Sequence, residues 1–386
     1  MPRYGLDAQL RIYGSQTPPE LPIAFEDWEG RARAALPPGP FDYVAGGAGG
    51  EATMRANREA FERWRIRPRL LRPVEDRDLA TSVLGTPSAA PFLLAPIGVL
   101  SALHPEADAA VGRAAATTGI PFIVSSVSGK TIEEIATAMG DAPRWFQLYP
   151  ARDRAVMASF VQRAEAAGYR AIVVTVDTTM LGWRERDLAH AYLPFLQAQG
   201  IANYLSDPTF RAGLDRPPEA DVPAAVRRFL DVFVNPSFAW EDVDWLRGQT
   251  ALPLLIKGLT HPEDALQALE HGVDGLVVSN HGGRQVDGAV AALDVLPEVI
   301  DAIGGRIPVL FDSGIRRGAD VLKALALGAA AVLVGRPYAY ALAVGGEEGV
   351  ATLIRQLMAD VDLTLALSGR RAIAEVDRSL VTSADR

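Results

Sequence analysis

A histidine followed by two glycines and an arginine is the part of this sequence best suited to proton transfer. The segment Ser279–Gln285 reads Ser-Asn-His-Gly-Gly-Arg-Gln. The imidazole of His281 can act as a general base near neutral pH, and the guanidinium of Arg284 can hold an anionic substrate beside it. The glycines let a ligand approach the backbone. The alternative is a structural histidine satisfied by its neighbours, but the accompanying glycines and arginine favour the catalytic interpretation.

A second group of residues is suited to binding a phosphate. Asp312–Gly318 reads Asp-Ser-Gly-Ile-Arg-Arg-Gly, and Gly335-Arg336-Pro337 follows the next apolar run. Glycine amides, a helix N-terminus and the side chain of Arg316 or Arg336 could neutralise a phosphate dianion. The two motifs together favour this interpretation over the alternative of ordinary turn glycines with surface arginines.

Lys257 lies at the end of a short apolar run and precedes Gly258. A buried lysine with no carboxylate beside it in the sequence needs an anion from elsewhere. A reduced flavin carries negative charge near its N1 and O2 atoms, which this lysine could neutralise. A lysine that forms a Schiff base with a carbonyl substrate is the competing interpretation.

Polar groups stand at or near the ends of other apolar runs. They could hydrogen-bond a flavin ring and a substrate, and Arg184 offers a second guanidinium. The groups belong to Gly98, Ser125, Ser126, Gln147, Tyr149, Thr175 and Asp177. No cluster of His, Asp and Glu has the spacing of metal ligands, so we predict no catalytic metal.

Short apolar runs, most of them followed by a helical stretch, are the elements that must position these residues. The runs are rich in Val, Leu, Ile and Ala without alternation, as expected where both faces of a parallel sheet are covered. Eight such units predict a (β/α)₈ TIM barrel, and no G-x-G-x-x-G motif opens the first unit. The predicted strands are Phe92–Ala95, Phe122–Ser125, Trp145–Leu148, Ala171–Thr175, Leu254–Lys257, Gly275–Ser279, Val309–Phe311 and Ala331–Val334.

Helices are predicted after these strands, and two segments depart from the repeat. The helices fall at about 106–118, 131–139, 153–167, 262–271, 292–303, 318–327 and 347–367. The lead-in, residues 1–90, contains predicted helices at about 24–35 and 50–61 and a β-like segment at Trp64–Pro68. No linker separates it from the barrel, so residues 1–386 are predicted to form one domain, with the lead-in packed on the barrel.

The interval between the fourth and fifth predicted strands is too long for one helix and two loops. It leaves the face of the barrel where active sites lie, and residues of about 176–250 are therefore predicted to form a lid over the pocket. The alternative is a surface excursion without a functional role.

Composition excludes several classes of protein. The chain has 47 acidic and 38 basic residues, for a net charge of −9, and no cysteine. The negative charge argues against nucleic acid as a partner, and the lack of cysteine removes disulfides, thiolate catalysis and Cys-bound metals. Neither a signal peptide nor a membrane span is visible, which predicts a cytoplasmic protein without a membrane association.

The motifs resemble those of the FMN-dependent L-2-hydroxy acid oxidising family, over about residues 20–380. Ser279–Gln285 is the most specific of them, and the sequence is most similar to the lactate 2-monooxygenase branch. The features shared with that branch are Tyr43–Gly47, Ala95–Val99, Gly182–Arg184, Asn203-Tyr204, Asp207-Pro208 and Trp240–Trp245. Many simple oxidases have a tryptophan just after the paired serines, whereas this chain has Val127.

The resemblance implies a role for each polar residue of a substrate site. His281 would be the base, and Asp177 would orient it and stabilise its imidazolium. Tyr149 would bond the substrate hydroxyl. The substrate carboxylate would be held by Arg184, Arg284 and Tyr43.

The resemblance also implies the residues that bind FMN. Lys257 would lie at the N1/O2 edge and take part in catalysis. The ring would be bonded by Ser125, Gln147 and Thr175, the ribityl chain by Asp312, and the phosphate by Arg316, Gly335 and Arg336. Further FMN contacts are expected at Ala95, Pro96, Ile97, Gly98, Ser279 and Gly314.

The implied reaction is oxidation of a small L-2-hydroxy acid, with O₂ as the final acceptor. His281 would take the hydroxyl proton as hydride passes to flavin N5, or would take the Cα proton first. The resemblance and the long insertion favour retention of the keto acid, which would give lactate 2-monooxygenation, to acetate, CO₂ and water. Early release, which would give keto acid and H₂O₂, is the alternative. A non-redox FMN barrel isomerase and a non-catalytic flavin-binding scaffold are the remaining alternatives. The resemblance also implies a homo-oligomer, a tetramer or larger.

Overall fold

Eight parallel strands close into a barrel in the computed structural model, which describes residues 3–384. The barrel consists of β4 to β11 in chain order, and β11 pairs with β4 to close it. The predicted (β/α)₈ barrel is therefore confirmed. The strands of the molecule are β1 (Trp64–Ile66), β2 (Thr81–Val83), β3 (Thr86–Ser88), β4 (Phe92–Leu94), β5 (Phe122–Ser125), β6 (Arg144–Leu148), β7 (Ile172–Thr175), β8 (Leu254–Leu259), β9 (Gly275–Val278), β10 (Val309–Phe311), β11 (Val332–Val334) and β12 (Val381–Ser383).

The barrel interior is filled by one large apolar side chain from each strand. The residues before and after it along the strand face the helices. Because side chains alternate along a strand, a strand covered on both faces must be apolar throughout, which is why these runs lack alternation. The β2–β3 hairpin packs on this interior, and Trp145 donates a hydrogen bond from Nε1 to Thr86 Oγ1 at 2.8 Å. The interior residues are Leu93, Ile123, Trp145, Val173, Leu255, Val277, Leu310 and Leu333.

Most helices lie within a residue or two of their predicted bounds, and one is longer than predicted. The helix predicted at 347–367 is the second half of a helix that bends at Gly345 and Gly346, where Gly346 has φ +54°. The helices are α1 (Tyr4–Ser15), α2 (Phe25–Ala35), α3 (Pro38–Ala45), α4 (Ala52–Glu62), α5 (Ala107–Thr118), α6 (Ile132–Met139), α7 (Arg154–Ala166), α8 (Glu185–Ala189), α9 (Ala202–Ser206), α10 (Pro208–Ala212), α11 (Val222–Phe233), α12 (Trp240–Arg247), α13 (Pro262–Glu270), α14 (Ala292–Ile303), α15 (Gly318–Ala326) and α16 (Arg336–Leu367).

The lead-in contacts the barrel helices through buried groups. The amide of Gly5 donates to Asp362 Oδ2 on α16 at 2.8 Å, and Trp28 of α2 is fully buried. Strand β1 pairs with β12 near the other end of the chain. Helices α1 and α3 were not predicted from the sequence, and α3 matters for function because it carries Tyr43.

The insertion between β7 and β8 contains five helices, α8 to α12, rather than a long irregular loop. Its aromatic residues form a buried cluster, in which Phe229 contacts Phe195 and Phe233 with ring centroids 5.0 Å apart in both pairs. The buried Asn203 accepts a hydrogen bond from Ile132 N at 2.8 Å and donates to Ser128 Oγ at 2.9 Å. The insertion is therefore packed on the barrel.

A search of residues 3–384 finds no helix that is both long and apolar enough to cross a membrane. The same residues contain no group of three or more His, Asp or Glu side chains arranged to hold a metal ion.

Candidate active site

A cavity of about 970 Å³, counting its open mouth, lies where the barrel strands end. This volume is at the upper end of the range for ligand sites in proteins. Many of the predicted site residues line it, and they come from the lead-in, several strand ends and the insertion. These residues are Tyr43, Ala95, Pro96, Ile97, Gly98, Tyr149, Arg184, Lys257, His281, Arg284, Asp312, Gly314, Arg316, Gly335 and Arg336. Five predicted residues are not among the lining residues but contact one another or a lining residue: Asp177 bonds His281, Ser279 bonds Lys257, Thr175 lies beside Lys257 in the sheet, and Ser125 bonds Gln147.

The turn that carries His281 is built from three consecutive residues with positive φ. His281, Gly282 and Gly283 have φ of +57°, +65° and +77°. A Cβ on Gly283 would lie 2.6 Å from the backbone nitrogen of Met54, so glycine is required there for both conformation and space. Ser279 Oγ accepts a hydrogen bond from His281 N at 3.0 Å. The turn therefore presents the imidazole at a defined position in the cavity.

His281 and Asp177 form a partly buried pair, with Nδ1 and Oδ1 2.7 Å apart. Burial lowers the pKa of His281, and the attraction of Asp177 opposes this only in part. Burial acts to raise the pKa of Asp177, but the attraction of His281, their hydrogen bond and the charge of Lys257 lower it below its ordinary value. Because a carboxylate only accepts hydrogen bonds, Nδ1 carries the hydrogen and Nε2 has a free lone pair.

Lys257 has a counter-ion that the sequence analysis did not identify. Its Nζ lies 3.1 Å from Asp312 Oδ2 and donates to Ser279 Oγ at 3.0 Å. Burial acts to lower the pKa of Lys257, but the attraction of Asp312 and Asp177 outweighs it and raises the pKa. The lysine is therefore a permanent cation. This argues against the Schiff-base alternative, which requires a neutral amine.

Two arginines face the same part of the cavity. Arg284 donates from Nη1 to the carbonyls of Tyr43 and Gly46, at 2.6 and 2.9 Å. Burial, with the repulsion of Arg184 and Arg336, lowers the pKa of Arg284 to about 9. A buried guanidinium in this state gains from an added anion, which suits it to a substrate carboxylate.

Two tyrosines complete the substrate side of the cavity. The ring of Tyr149 lies 6.5 Å from the ring of His281, centroid to centroid, and burial raises the pKa of its hydroxyl far above neutrality. Tyr149 therefore stays a hydrogen-bond donor. Tyr43 lies under the guanidinium of Arg284, 5.3 Å from the ring centroid.

The predicted phosphate arginines lie near each other, and Arg336 also contacts the turn that carries His281. Burial, followed by the repulsion of Arg336, lowers the pKa of Arg316 to about 10. Arg336 donates to the carbonyls of Val44, Gly282 and Gly46 at 2.8 to 3.0 Å, which uses three of its five N–H groups. Arg317 pairs with Glu26 on the surface, whereas no carboxylate of the described residues pairs with Arg316 or Arg336.

These residues fit FMN by two observations. Buried atoms on the ring side lack hydrogen-bond partners among residues 3–384, namely Nε2 of Gln147 and Oγ1 of Thr175. Buried polar atoms normally have partners, so both atoms are suited to a ligand with acceptors and donors along its edge. Arg316 and Arg336, which no carboxylate of the described residues pairs with, suit a dianion. Strand register brings the ring residues together, since Thr175 lies opposite Lys257 and Ser125 opposite Gln147.

Several cavity residues were not predicted. Thr178 donates a hydrogen bond to Asp177 Oδ1 at 2.9 Å and lies 3.2 Å from His281 Nδ1. Its position beside Asp177 in the sequence could have indicated this role. Phe195 and Phe233 also line the cavity, but both come from the insertion, where aromatic spacing carries no such signal.

Comparison with known proteins identifies relatives over almost the entire chain. Residues 32–383 match the family model described as FMN-dependent dehydrogenase. An L-lactate oxidase of Lysinibacillus sphaericus is 42% identical over 95% of this chain and 94% of its own length. A peroxisomal (S)-2-hydroxyacid oxidase of Arabidopsis thaliana is 44% identical over 93% of this chain and 96% of its own. A solved structure of mandelate oxidase with (S)-4-hydroxymandelic acid has 39% identity and a TM-score of 0.84, and covers 94% of this chain and 99% of that one.

Proposed function

Because this chain belongs to the FMN-dependent dehydrogenase family and FMN is its cofactor, we propose that it oxidises small L-2-hydroxy acids and passes the electrons to O₂. The observation that carries the proposal is a histidine with a lowered pKa that is paired with a carboxylate, beside the guanidinium of Arg284, which no carboxylate of the described residues pairs with. A base next to an anion-binding site is what removal of a proton from a 2-hydroxy carboxylate requires.

Substrate binding is assigned to the two arginines on the base side. Arg184 and Arg284 would hold the carboxylate, and loss of water around it would strengthen both contacts. The tyrosine hydroxyl of Tyr149 would donate to the substrate hydroxyl or to the carbonyl that replaces it. This arrangement turns the Cα–H and O–H groups toward fixed partners.

Proton transfer is assigned to Nε2 of His281. Asp177 holds the opposite ring nitrogen and stabilises the imidazolium formed when His281 takes the substrate proton. When bound, FMN supplies the acceptor for the two electrons that leave the substrate. The residues that would hold its ring are Ser125, Gln147, Thr175 and Lys257, and those that would hold its phosphate are Arg316 and Arg336.

We propose the oxidase outcome, release of keto acid and H₂O₂, because the compared relatives named above are oxidases. Lactate 2-monooxygenation is the second candidate, and the insertion favours it. Phe195 and Phe233 of the insertion line the cavity and are buried, so the insertion can enclose a bound keto acid until it is decarboxylated.

We also propose that the lead-in, barrel and insertion act as one FMN-binding unit in a homo-oligomer. Tyr43 and Val44 of the lead-in and Phe195 of the insertion contribute directly to the cavity walls. Removing either segment would therefore open the site.

The test is aerobic turnover of L-lactate by FMN-loaded protein, with catalase present and the products quantified. Catalase is needed because free H₂O₂ decarboxylates pyruvate in solution. Pyruvate as product supports the oxidase, and acetate with CO₂ supports the monooxygenase. Flavin that stays oxidised with L-lactate and with larger 2-hydroxy acids would contradict the proposal and favour a non-redox FMN barrel.

A further inference from the structure

The side-chain amide of Gln285 connects two loops of the active site. Its Nε2 donates to the carbonyls of Asp177 and Met180, both at 2.8 Å. Its Oε1 accepts from Nη2 of Arg184 at 2.9 Å and from Gly182 N at 3.4 Å. One half-buried side chain thus contacts both the residue that pairs with His281 and an arginine of the substrate site.

The orientation of this amide is determined by its partners. The nitrogen faces two carbonyl oxygens, which only accept hydrogen bonds, and the oxygen faces two N–H donors. A side chain that lacked either half would leave groups of both loops without partners. The unsatisfied groups would then move or bind water.

The two loops also lie in direct contact. A Cβ on Gly182 would be 2.5 Å from the carbonyl oxygen of Arg284, so the backbones approach as closely as glycine permits. Nε of Arg184 donates to that same carbonyl at 3.2 Å. The segment after α3 joins them, since Gly49 N donates to the Trp183 carbonyl at 2.7 Å.

We propose that Gln285 is a positioning residue for the oxidation: it holds the loop of Asp177 and Arg184 in register with the turn that carries His281 and Arg284. The inference rests on the proposed function, because it assigns Gln285 to the geometry of that reaction. It separates two effects. The oxygen acts on substrate affinity through Arg184, and the nitrogen acts on the rate and its pH dependence through Asp177.

The experiment compares Gln285→Met with the matched control Gln199→Met in the FMN-loaded full chain. Gln199 lies in the insertion and accepts one hydrogen bond, from the Tyr192 hydroxyl at 3.2 Å. Anaerobic reduction by L-lactate gives the rate constant, and the flavin absorbance change on adding oxalate gives carboxylate affinity without any reaction. FMN content and Tm report the fold.

For Gln285→Met we expect oxalate to bind about tenfold more weakly and reduction to slow about tenfold, since each half of the amide loses the hydrogen bonds that hold the loop of Asp177 and Arg184. The acid limb of the reduction rate should move to lower pH. The reason is that Asp177 raises the pKa of His281, and a displaced Asp177 does so less. A purely structural role would lower Tm and leave that limb unchanged.

Wild-type oxalate affinity, rate and pH midpoint in folded Gln285→Met would overturn the proposal. If that variant loses FMN, Gln285→Glu replaces it, because it keeps the volume of the side chain. In Gln285→Glu the new carboxylate pairs with Arg184 and faces two carbonyl oxygens, so we expect weaker oxalate binding and slower reduction. Wild-type values in this variant would also overturn the proposal. If no 2-hydroxy acid reduces the flavin bound to the wild-type protein, the proposed function itself is contradicted.

Discussion

In one group of cavity residues His281 lies against Asp177 and Lys257 against Asp312, whereas in the adjoining group Arg316 and Arg336 are surrounded by backbone carbonyls and an aromatic ring. We call these the base end and the phosphate end. At the base end, the base and the lysine each contact a carboxylate of the protein. The phosphate end has cations that no carboxylate of the described residues balances.

The difference indicates which end is preorganised and which awaits a ligand. A balanced ion pair keeps its geometry with or without substrate, so the base is ready before binding. Unbalanced buried cations cost free energy until an anion arrives, and that free energy becomes available as ligand affinity. Substitutions at the base end should therefore lower the rate of the reaction, whereas substitutions at the phosphate end should weaken FMN binding.

The largest effect is expected at the base end. His281→Ala should retain FMN, but the rate constant of flavin reduction by L-lactate should fall about 10³-fold. This is within the range for loss of a general base. Anaerobic stopped-flow absorbance measures this rate. His271→Ala is a matched control, because His271 stacks on Trp240 outside the cavity and should keep the wild-type rate. Near wild-type reduction in His281→Ala would remove it from the mechanism.

The pH dependence tests the coupling within the base end. Since burial lowers the pKa of His281, kcat/KM for L-lactate should rise with pH on an acid limb whose midpoint lies below the ordinary value of about 6.5. In Asp177→Asn the carboxylate no longer raises that pKa. The midpoint should therefore move lower still, and the rate should fall about a hundredfold. A midpoint that rose in Asp177→Asn would contradict this assignment of charges.

The phosphate end should lose affinity rather than rate. Arg316→Met should weaken FMN binding about tenfold to a hundredfold, the loss of one or two charged hydrogen bonds. Fluorescence titration of the apoprotein measures it. The Tm of the apoprotein should not fall, because no ion pair is broken. The neighbouring Arg317→Met, which loses only the surface pair with Glu26, should bind FMN as the wild type does. Equal FMN affinity in both variants would contradict the assignment of Arg316 to FMN binding.

The smallest effect should come from the insertion. Phe233 lies 5.4 Å from the ring of Tyr149 and 5.0 Å from that of Phe229. Phe233→Leu should raise KM for L-lactate a few-fold, about what one aromatic pair contributes, without changing FMN affinity. If the monooxygenase outcome holds, the fraction of free pyruvate should also increase in the presence of catalase. An unchanged KM and product ratio would show that the insertion does not close the substrate side.

Much of the barrel could be predicted because its information is local. Continuous Val, Leu and Ile runs indicate doubly covered strands, and α14 was predicted with its observed bounds, 292–303. Helix α3 was missed because it is short and begins at a proline, and α1 because its apolar residues are largely exposed and form no clear pattern. The long α16 was predicted only after its double glycine, since Gly345-Gly346 is a typical helix terminator in sequence.

The candidate site divides in the same way. The motif Ser279–Gln285 and the phosphate motifs consist of neighbouring residues, so the sequence by itself determined them, together with eight strands to place them at one face. Only the tertiary structure decided that Asp312 balances Lys257, that Gln285 joins the two loops, and that no carboxylate within residues 3–384 pairs with the phosphate arginines. These pairings depend on closure of the barrel, which brings together strand ends far apart in the chain, and no local pattern records which of them will meet.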